Sequence, residues 1–410
     1  MEYTREWPQK SAVSKKLTSD IIGKMDGSPV RGFHPAKIGF GMEMLLSGPP
    51  TIVREIASLS RTDTPMMREG NPSNLLPLAL NMRKLNAFHR TARLLKTDDG
   101  TVITALVLDA KQECGTSFAV RDMDADQLWY VYEGSGGCYT DLGAFSYKAG
   151  DFVYIPKHTL SFFRTVNTTR LIGIQSEKGL RLVSRRPYDN VDVPFNEFAM
   201  RLPEPYEPEG GPDEKVIFVK RNGAWSSVTY QFTPFLCVAW KGAPYPFAIS
   251  TSELNFEYVQ SIHPDPSNFA VFAAPDASTV VSVLGPRFVH SLPYNHLNEW
   301  DEFLFYAKEY DARKGSGGGV GESGTATLHP QGIWHGPQMA AFEKWQKEDS
   351  HKGGKNIPWV NDLAIMFETK HALQLLSDAD CGILIKGYEN SWLESWQDYQ
   401  QRHPRGVGGW

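Results

Sequence analysis

The stretch that decides the fold is TVITALVLD at residues 101–109, a short apolar run between turn residues. Three runs of the same kind follow it, QLWYVY at 127–132, DFVYI at 151–155 and RLIGIQ at 170–175. Short segments rich in β-branched and aromatic residues, separated by turns, are typical of strands in a sandwich or barrel. The sequence therefore predicts a mainly β protein.

A second strand-rich block occupies residues 215–367, after a segment rich in proline and glycine at 201–214. Such a segment indicates a linker or a wrapped loop. We predict two blocks of β-sandwich or jelly-roll type, an N-terminal domain over 1–250 that includes an extended arm, and a C-terminal domain over 251–410. Only a few peripheral helices are predicted, at 81–94, 337–347 and 391–401.

The composition excludes several classes of protein. The chain has 410 residues, of which 41% are hydrophobic and 22% charged, and its mean hydropathy is −0.36. This is too apolar for a disordered chain, and no run of ~20 apolar residues predicts a membrane span. The net charge of −5 offers no basic field for nucleic acid or anionic lipid.

The four cysteines are scattered through the sequence and form no CxxC pair, so a zinc ribbon or a thioredoxin-type motif is not predicted. The first residues, MEYTREWPQK, contain no apolar core of a secretory signal. We expect reduced thiols and a cytoplasmic protein.

One cluster of metal-ligand residue types lies in the C-terminal block. A turn after His296 would let the strand EFLFYA return with Glu302 at its start, and His335 ends a later strand-like segment. Two histidines and one carboxylate can hold a metal and leave open positions, as in non-haem Fe(II) oxygenases. The same face could hold Mn or Zn.

The alternative is that these side chains bind no metal. An isolated H-x5-E match is common by chance, and a histidine near a strand end is usually only hydrogen-bonded. Glu299 and Asp301, between the two candidate ligands, are interpreted as solvated turn charges. A formal GxGxxG at 319–324 leads into a strand-like segment rather than a helix, so a dinucleotide site is not predicted.

Four motifs in this block resemble those of the homogentisate 1,2-dioxygenase family of the cupin superfamily. HPDPS at 263–267 is similar to the family's HADPS, and YNHLNEWDEF at 294–303 to its YYH-x5-EF. YDAR at 310–313 is similar to its YEAK, and TLHPQGIWHGPQ at 327–338 to its SLH-x5-HGPD. The motifs occur in the family's order with nearly its spacing.

The resemblance implies roles for six residues. It implies that Fe(II) is held by His296, Glu302 and His335, and that His263 is the catalytic base. It further implies that Tyr310 and His329 contact the substrate. The cupin-like N-terminal half would be metal-free, and the chain would form homo-oligomers, trimers or hexamers.

The function that the resemblance implies is Fe(II)-dependent, extradiol-type cleavage of an aromatic ring with O2. The substrate would be homogentisate or a related 2,5-dihydroxyphenyl compound, and no nucleic acid or membrane partner is expected. Arg287, Lys308 and Arg313 are candidates for binding a substrate carboxylate. Two alternatives stay open, a Zn- or Mn-dependent cupin isomerase, decarboxylase or hydrolase, and a cupin that binds without catalysis.

Overall fold

The structure is a computed structural model. It describes the following residues: 43–46, 56–61, 76–112, 114–183, 197–211, 214–235, 237–241, 245–254, 270–288, 299–313, 315–333, 335–336, 338, 340–341, 359–376, 382–392, 398 and 401–402.

Twenty-six strands are found in this part of the chain. The first nine are β1 (Glu43–Leu46), β2 (Ile56–Arg61), β3 (Leu78–Asn81), β4 (Ala92–Lys96), β5 (Thr101–Leu108), β6 (Ala119–Asp122), β7 (Asp126–Glu133), β8 (Ser135–Thr140) and β9 (Gly143–Lys148). The next nine are β10 (Asp151–Ile155), β11 (Leu160–Thr165), β12 (Thr169–Ser176), β13 (Arg181–Leu182), β14 (Val216–Arg221), β15 (Ala224–Tyr230), β16 (Cys237–Lys241), β17 (Phe247–Ser250) and β18 (Ala270–Ala273). The last eight are β19 (Thr279–Leu284), β20 (Arg287–Phe288), β21 (Asp301–Tyr306), β22 (Thr325–His329), β23 (Trp359–Val360), β24 (Ala364–Thr369), β25 (Gln374–Leu375) and β26 (Leu384–Ile385).

Short 3-10 helices connect some of these strands. They lie at Met82–Lys84, Glu197–Ala199, Thr251–Glu253, Asp311–Arg313 and Tyr388–Asn390.

Three large sheets contain most of the strands. The first sheet has the order β17-β10-β7-β12-β5-β4-β25, the second β2-β15-β14-β6-β11-β8-β9, and the third β13-β18-β19-β24-β21-β22-β3-β26. Their pairings are antiparallel except for β14 with β6, which is parallel. Two small sheets, β1-β16 and β20-β23, complete the described strands.

The three large sheets form layers, with the first sheet in the middle. One face of the first sheet packs on the second sheet around Trp129, Val153 and Phe163. We call this pair of sheets the first sandwich. The other face of the first sheet packs on the third sheet, where Tyr130 and Phe305 belong to one shared core.

Strand β7 shows how the sequence produces this layering. Side chains alternate between the two faces of a strand. Trp129 and Val131 therefore point into the first sandwich, whereas Leu128 and Tyr130 face the third sheet. Because both faces are buried, the strand reads as a continuous apolar run.

The predicted mainly β class is confirmed. The four apolar runs at 101–109, 127–132, 151–155 and 170–175 coincide with β5, β7, β10 and β12. The predicted helix at 81–94 is wrong, because a 3-10 turn at Met82–Lys84 leads to strand β4, which pairs with β5. Pairing with a buried neighbouring strand outweighs the local helix propensity of this segment. The other two predicted helices are helical at 340–341, 391–392, 398 and 401, and lie largely outside the described residues.

Strands are exchanged between the two halves of the sequence. β3 and β13 join the third sheet, whereas β25 joins the first. The boundary at residue 250 stays a prediction, and most of the predicted arm lies outside the described residues. Within the described part of the chain, we find no helix with the length and apolar character needed to cross a membrane.

Candidate metal centre

Three buried side chains, Glu302, His329 and His335, come together at the third sheet. One ligand atom from each lies within 4.8 Å of the other two. Glu302 in β21 is directly opposite His329 at the end of β22, so strand register places their side chains on one face of the sheet. His335 follows in the loop after β22 and reaches the same point.

Both imidazoles point at one carboxylate oxygen. The Oε2 atom of Glu302 lies 3.2 Å from Nδ1 of His329 and 3.0 Å from Nε2 of His335. The two rings stack with centroids 4.5 Å apart and planes 12° apart. Two imidazole nitrogens and one carboxylate oxygen, all possible metal ligands, thus converge on one buried point.

The hydrogen bonding of His335 favours a cation at this point. Its Nδ1 lies 3.0 Å from the carbonyl oxygen of Ile333, which can only accept a hydrogen bond. In a neutral imidazole the proton then sits on Nδ1, and the lone pair of Nε2 faces the Glu302 carboxylate. Two acceptors at this distance need a proton or a metal ion between them, so the donor set fits a metal.

The electrostatic surroundings favour the ligand forms of Glu302 and His329. Burial alone would raise the pKa of Glu302, but its contacts with the two histidines outweigh burial and hold that pKa far below its usual value. Burial, together with the positive charge of Arg313, lowers the pKa of His329. An ionised carboxylate and a neutral imidazole are the states in which these groups bind metals.

A second group of buried side chains holds this cluster in place. The hydroxyl of Tyr388 lies 2.9 Å from Nε2 of His329. The Arg313 guanidinium donates a hydrogen bond to the Tyr306 hydroxyl at 3.0 Å and another to the carbonyl of Gly336. Trp392 donates to the same carbonyl at 3.1 Å. Gly336, the residue after His335, is therefore held by hydrogen bonds from two side chains.

The structure brings together two of the predicted ligands, Glu302 and His335. His329, predicted to contact substrate, stands in the same cluster. The predicted ligand His296 and the predicted base His263 lie outside the described residues, so the ligand set and the base stay predictions.

Four further residues are predicted to bind the substrate or its carboxylate. Tyr310 is 8% exposed, and its ring stacks on Tyr306 at 5.1 Å. Of the candidates for binding a substrate carboxylate, Arg313 is buried against Tyr306, whereas Lys308 is exposed and approaches Asn361. The side chain of Arg287 is outside the described part of the structure.

The interpretation of Asp301 as a solvated turn charge is wrong. Asp301 is 2% exposed, and its carboxylate accepts hydrogen bonds from the backbone amides of Gln331 and Leu373 at 2.8 and 2.7 Å. These bonds compensate the desolvation of a buried carboxylate. They also tie the start of β21, and so Glu302, to the loop after β22.

Sequence reasoning missed Tyr388 and Trp392. They lie more than fifty positions beyond His329 and Gly336, with sequence separations of 59 and 56. No local pattern marks them, because the contacts depend on how the chain after β26 returns over the third sheet.

Comparisons with known proteins find relatives of this chain. A family model described as homogentisate 1,2-dioxygenase C-terminal matches residues 254–402. A protein of Saccharolobus solfataricus named "Putative dioxygenase" is 30% identical over 298 residues, which is 68% of this chain and 70% of that protein. A homogentisate 1,2-dioxygenase of Emericella nidulans is 33% identical over 150 residues, 34% of this chain and 33% of its own length. Among solved structures, a cupin 2 conserved barrel domain protein from Leptotrichia buccalis aligns with a TM-score of 0.32 at 10% identity, covering 74% of this chain and 99% of that one.

The fold, the buried cluster and the sequence matches place the chain among the ring-cleaving dioxygenases. It belongs to the homogentisate 1,2-dioxygenase family, as a divergent member. The chain spans only about a third of the Emericella relative, although it spans more than two thirds of the Saccharolobus protein.

Proposed function

We propose that this protein uses Fe(II) to cleave the ring of homogentisate or a related 2,5-dihydroxyphenyl compound with O2. His296, Glu302 and His335 would hold the iron. The observation that carries the proposal is the convergence of Glu302 and His335 on one buried point. Two imidazoles and a carboxylate are the ligand set of non-haem Fe(II) oxygenases, whose open positions receive substrate and O2.

Bound iron would supply a centre that brings substrate and O2 together and passes electrons between them. The side chains would do the remaining work. His263 accepts the phenolic proton of the substrate, which raises the electron density of the ring. General-base assistance of this kind is typically worth about 10²–10⁴-fold in rate.

His329 and Tyr310 would orient the substrate. The lowered pKa of His329 keeps its imidazole neutral, and the Tyr388 hydroxyl at 2.9 Å limits its rotation. A neutral imidazole held in this way can replace one of its present hydrogen bonds with a hydrogen bond to a substrate oxygen. The burial of the cluster excludes bulk water from the reacting groups.

The deciding experiment combines metal analysis with O2 uptake. Iron-loaded protein is given homogentisate, gentisate and hydroquinone, with catechol as the control that lacks the 2,5-dihydroxy pattern. We expect O2 consumption with at least one 2,5-dihydroxy compound. Iron-loaded protein that consumes no O2 with any of them would refute the proposal. Turnover with Zn or Mn and without O2 would instead support the isomerase, decarboxylase or hydrolase alternative.

A second experiment separates the two histidines that could accompany Glu302 and His335. The His296→Ala protein should lose bound iron, whereas His329→Gln should keep iron and lose turnover. If His329→Gln loses the iron and His296→Ala retains it, the third ligand is His329. His263→Ala should keep iron, and its turnover at neutral pH should fall.

We also propose a cytoplasmic location and a homo-oligomer, a trimer or hexamer. The partners would be a small aromatic substrate and O2. Light scattering on the purified chain tests the oligomeric state, and a monomer would contradict it.

A further inference from the structure

Arg313 is a buried cation beside the candidate metal centre, and its partners among the described residues are neutral. It ends the 3-10 helix Asp311–Arg313 and is 4% exposed. Its Nε donates to the Tyr306 hydroxyl, its Nη1 donates to the Gly336 carbonyl, and its Cζ lies 5.9 Å from the centroid of the Trp392 ring. Burying a charge without a counter-charge is costly. A guanidinium kept at this place therefore indicates a function.

The guanidinium bridges the third sheet and the loop that follows β22. On the sheet side, the Tyr306 hydroxyl in β21 lies 2.5 Å from the Thr327 hydroxyl in β22. On the loop side, the Gly336 carbonyl belongs to the residue directly after His335. A hydrogen bond from a charged donor is stronger than one between neutral groups. The sheet thus holds Arg313, and Arg313 holds the backbone next to His335.

A second segment of the chain reaches the same loop. The indole Nε1 of Trp392 donates to the Gly336 carbonyl at 3.1 Å. Its neighbour Ser391 accepts a hydrogen bond from Nε2 of the fully buried Gln338 at 2.8 Å. The backbone amide of Gln338 donates to the carbonyl of Ala312 at 3.0 Å. Contacts from two separate segments therefore hold the residues that follow the candidate ligand.

His335 is the member of the cluster that depends on this support. Glu302 and His329 lie on paired strands, whose register fixes where their side chains point. His335 lies outside β21 and β22, and its ring is tied only locally, with Nδ1 3.0 Å from the Ile333 carbonyl. Tight metal binding needs each ligand held close to its productive geometry by the residues around it. The path of the backbone around Gly336 therefore decides whether His335 can bind a metal well.

We propose that Arg313 and Trp392 are positioning residues that set the metal affinity of the centre by holding His335 in place. The proposal rests on the proposed function only in taking His335 as a metal ligand. It differs from the role that the sequence suggests for Arg313, the binding of a substrate carboxylate. The two N–H groups that Arg313 directs at Tyr306 and Gly336 act on the protein itself.

The test is titration of the metal-free full chain with Co(II), whose visible absorption bands report the geometry of its ligands. Arg313→Met removes both hydrogen bonds and should weaken Co(II) binding roughly 10-fold, with shifted bands, as for lost partners of metal ligands. Arg313→Lys keeps a charged donor without the planar fork and should recover part of the affinity. Trp392→Phe removes the indole donor and should weaken binding about 2- to 10-fold.

The matched control is Arg170→Met. Arg170 in β12 also donates to a backbone carbonyl, that of Leu85 at 3.0 Å, but makes no contact with the loop after His335. Its loss should leave the Co(II) affinity and spectrum as in the wild type, and denaturation of the metal-free proteins measures the stability of each variant. An equal loss of Co(II) affinity in Arg170→Met and Arg313→Met would show general destabilisation and overturn the proposal.

Two other results would also overturn it, unchanged Co(II) affinity in Arg313→Met and a wild type that binds no Co(II). If Arg313→Met does not fold, Trp392→Phe decides, and wild-type affinity in that variant overturns the proposal. Normal Co(II) binding with a raised KM for homogentisate but not for hydroquinone would assign Arg313 to the substrate carboxylate instead. The expected Co(II) results in a protein that consumes no O2 when loaded with iron would refute the dioxygenase proposal and leave this one standing.

Discussion

The first sandwich and the third sheet use the same device for different chemistry. In the first sandwich a cross-strand pair of amides, Gln127 and Gln175, lies on a buried face. In the third sheet a cross-strand pair of Glu302 and His329 lies on a buried face, and His335 joins it. Strand register supplies the proximity in both places, because directly opposite residues lie on the same face.

The difference between the two regions teaches that the fold positions side chains but does not choose their function. A carboxylate between two imidazoles can hold a cation. The substitutions below test the metal cluster, the core between the two regions, the support of the cluster, and a buried histidine of the first sandwich.

The largest effect is expected from Glu302→Gln. This substitution replaces the carboxylate of the third-sheet cluster with a carboxamide, the group that Gln127 and Gln175 carry in the first sandwich. A neutral amide cannot supply the negative charge that a carboxylate gives to Fe(II). We expect loss of bound iron by elemental analysis and loss of O2 uptake. The matched control is Glu299→Gln, an exposed carboxylate three positions away that should keep both. Full iron occupancy in Glu302→Gln would contradict the proposed site.

The second prediction concerns the core that joins the two regions. Phe305 points from the third sheet to the first, where its ring centroid lies 4.7 Å from that of Tyr132 and 6.3 Å from that of Tyr130. Phe305→Ala should lower the free energy of unfolding by about 3–5 kcal/mol, because it removes buried area and leaves a cavity. Chemical denaturation measures this.

The control for Phe305→Ala is Phe198→Ala. Phe198 is 92% exposed, so its removal should change the free energy of unfolding by about 0.5 kcal/mol or less. Equal effects of the two substitutions would show that the contact between the sheets does not stabilise the protein.

The third prediction tests the support of the cluster. Tyr388→Phe removes the hydroxyl that lies 2.9 Å from His329. Loss of one hydrogen bond to a histidine that contacts the substrate is typically worth about 2- to 10-fold. We expect a fall of this size in turnover with iron affinity unchanged, measured by O2 uptake at fixed iron and by iron titration.

The matched control has the same chemical change in the other region. Tyr147→Phe removes a buried hydroxyl of the first sandwich that donates to the carbonyl of Arg164 at 3.2 Å. It should leave O2 uptake and iron affinity unchanged. A similar loss of turnover in both variants would mean that Tyr388 acts through general stability and not through His329.

Local pattern explains why several long buried strands and part of the site could be predicted. Apolar runs between turns marked β5, β7, β10 and β12 correctly, because burial on both faces leaves a strong signal. The return strand that starts at Glu302 could also be inferred, since a turn and a short strand are local features. The pattern also offered His335 as a ligand, and the motif resemblance added His329.

Long-range contacts explain what could not be predicted. The segment that forms β4 carries a helix-like pattern, but its pairing with β5 decides its structure. The burial of Asp301 depends on backbone amides of Gln331 and Leu373, which lie 30 and 72 positions away. Such partners are set by packing of the whole chain, and single-sequence periodicity does not contain them.

The smallest effect is expected at His158, in the first sandwich and far in sequence from the metal cluster. Burial, with a contribution from the Arg121 charge, lowers the pKa of His158 from 6.5 to about 4. Between these two pH values the unfolded chain binds a proton that the folded chain does not. The contribution of His158 to stability is therefore present above pH 6.5 and is lost as the pH falls toward 4.

His158→Asn should remove this dependence. His158 has a positive φ of 75°, a conformation that asparagine tolerates better than most residues. We expect the variant to lose less stability than the wild type when the pH falls from 6.5 to 4, measured by denaturation of iron-free protein across that range. Iron-free protein keeps proton competition for the metal out of the measurement. Parallel stability curves for the two proteins would show that His158 titrates alike in the folded and unfolded chains, and that the acid sensitivity of the protein arises outside this turn of the first sandwich.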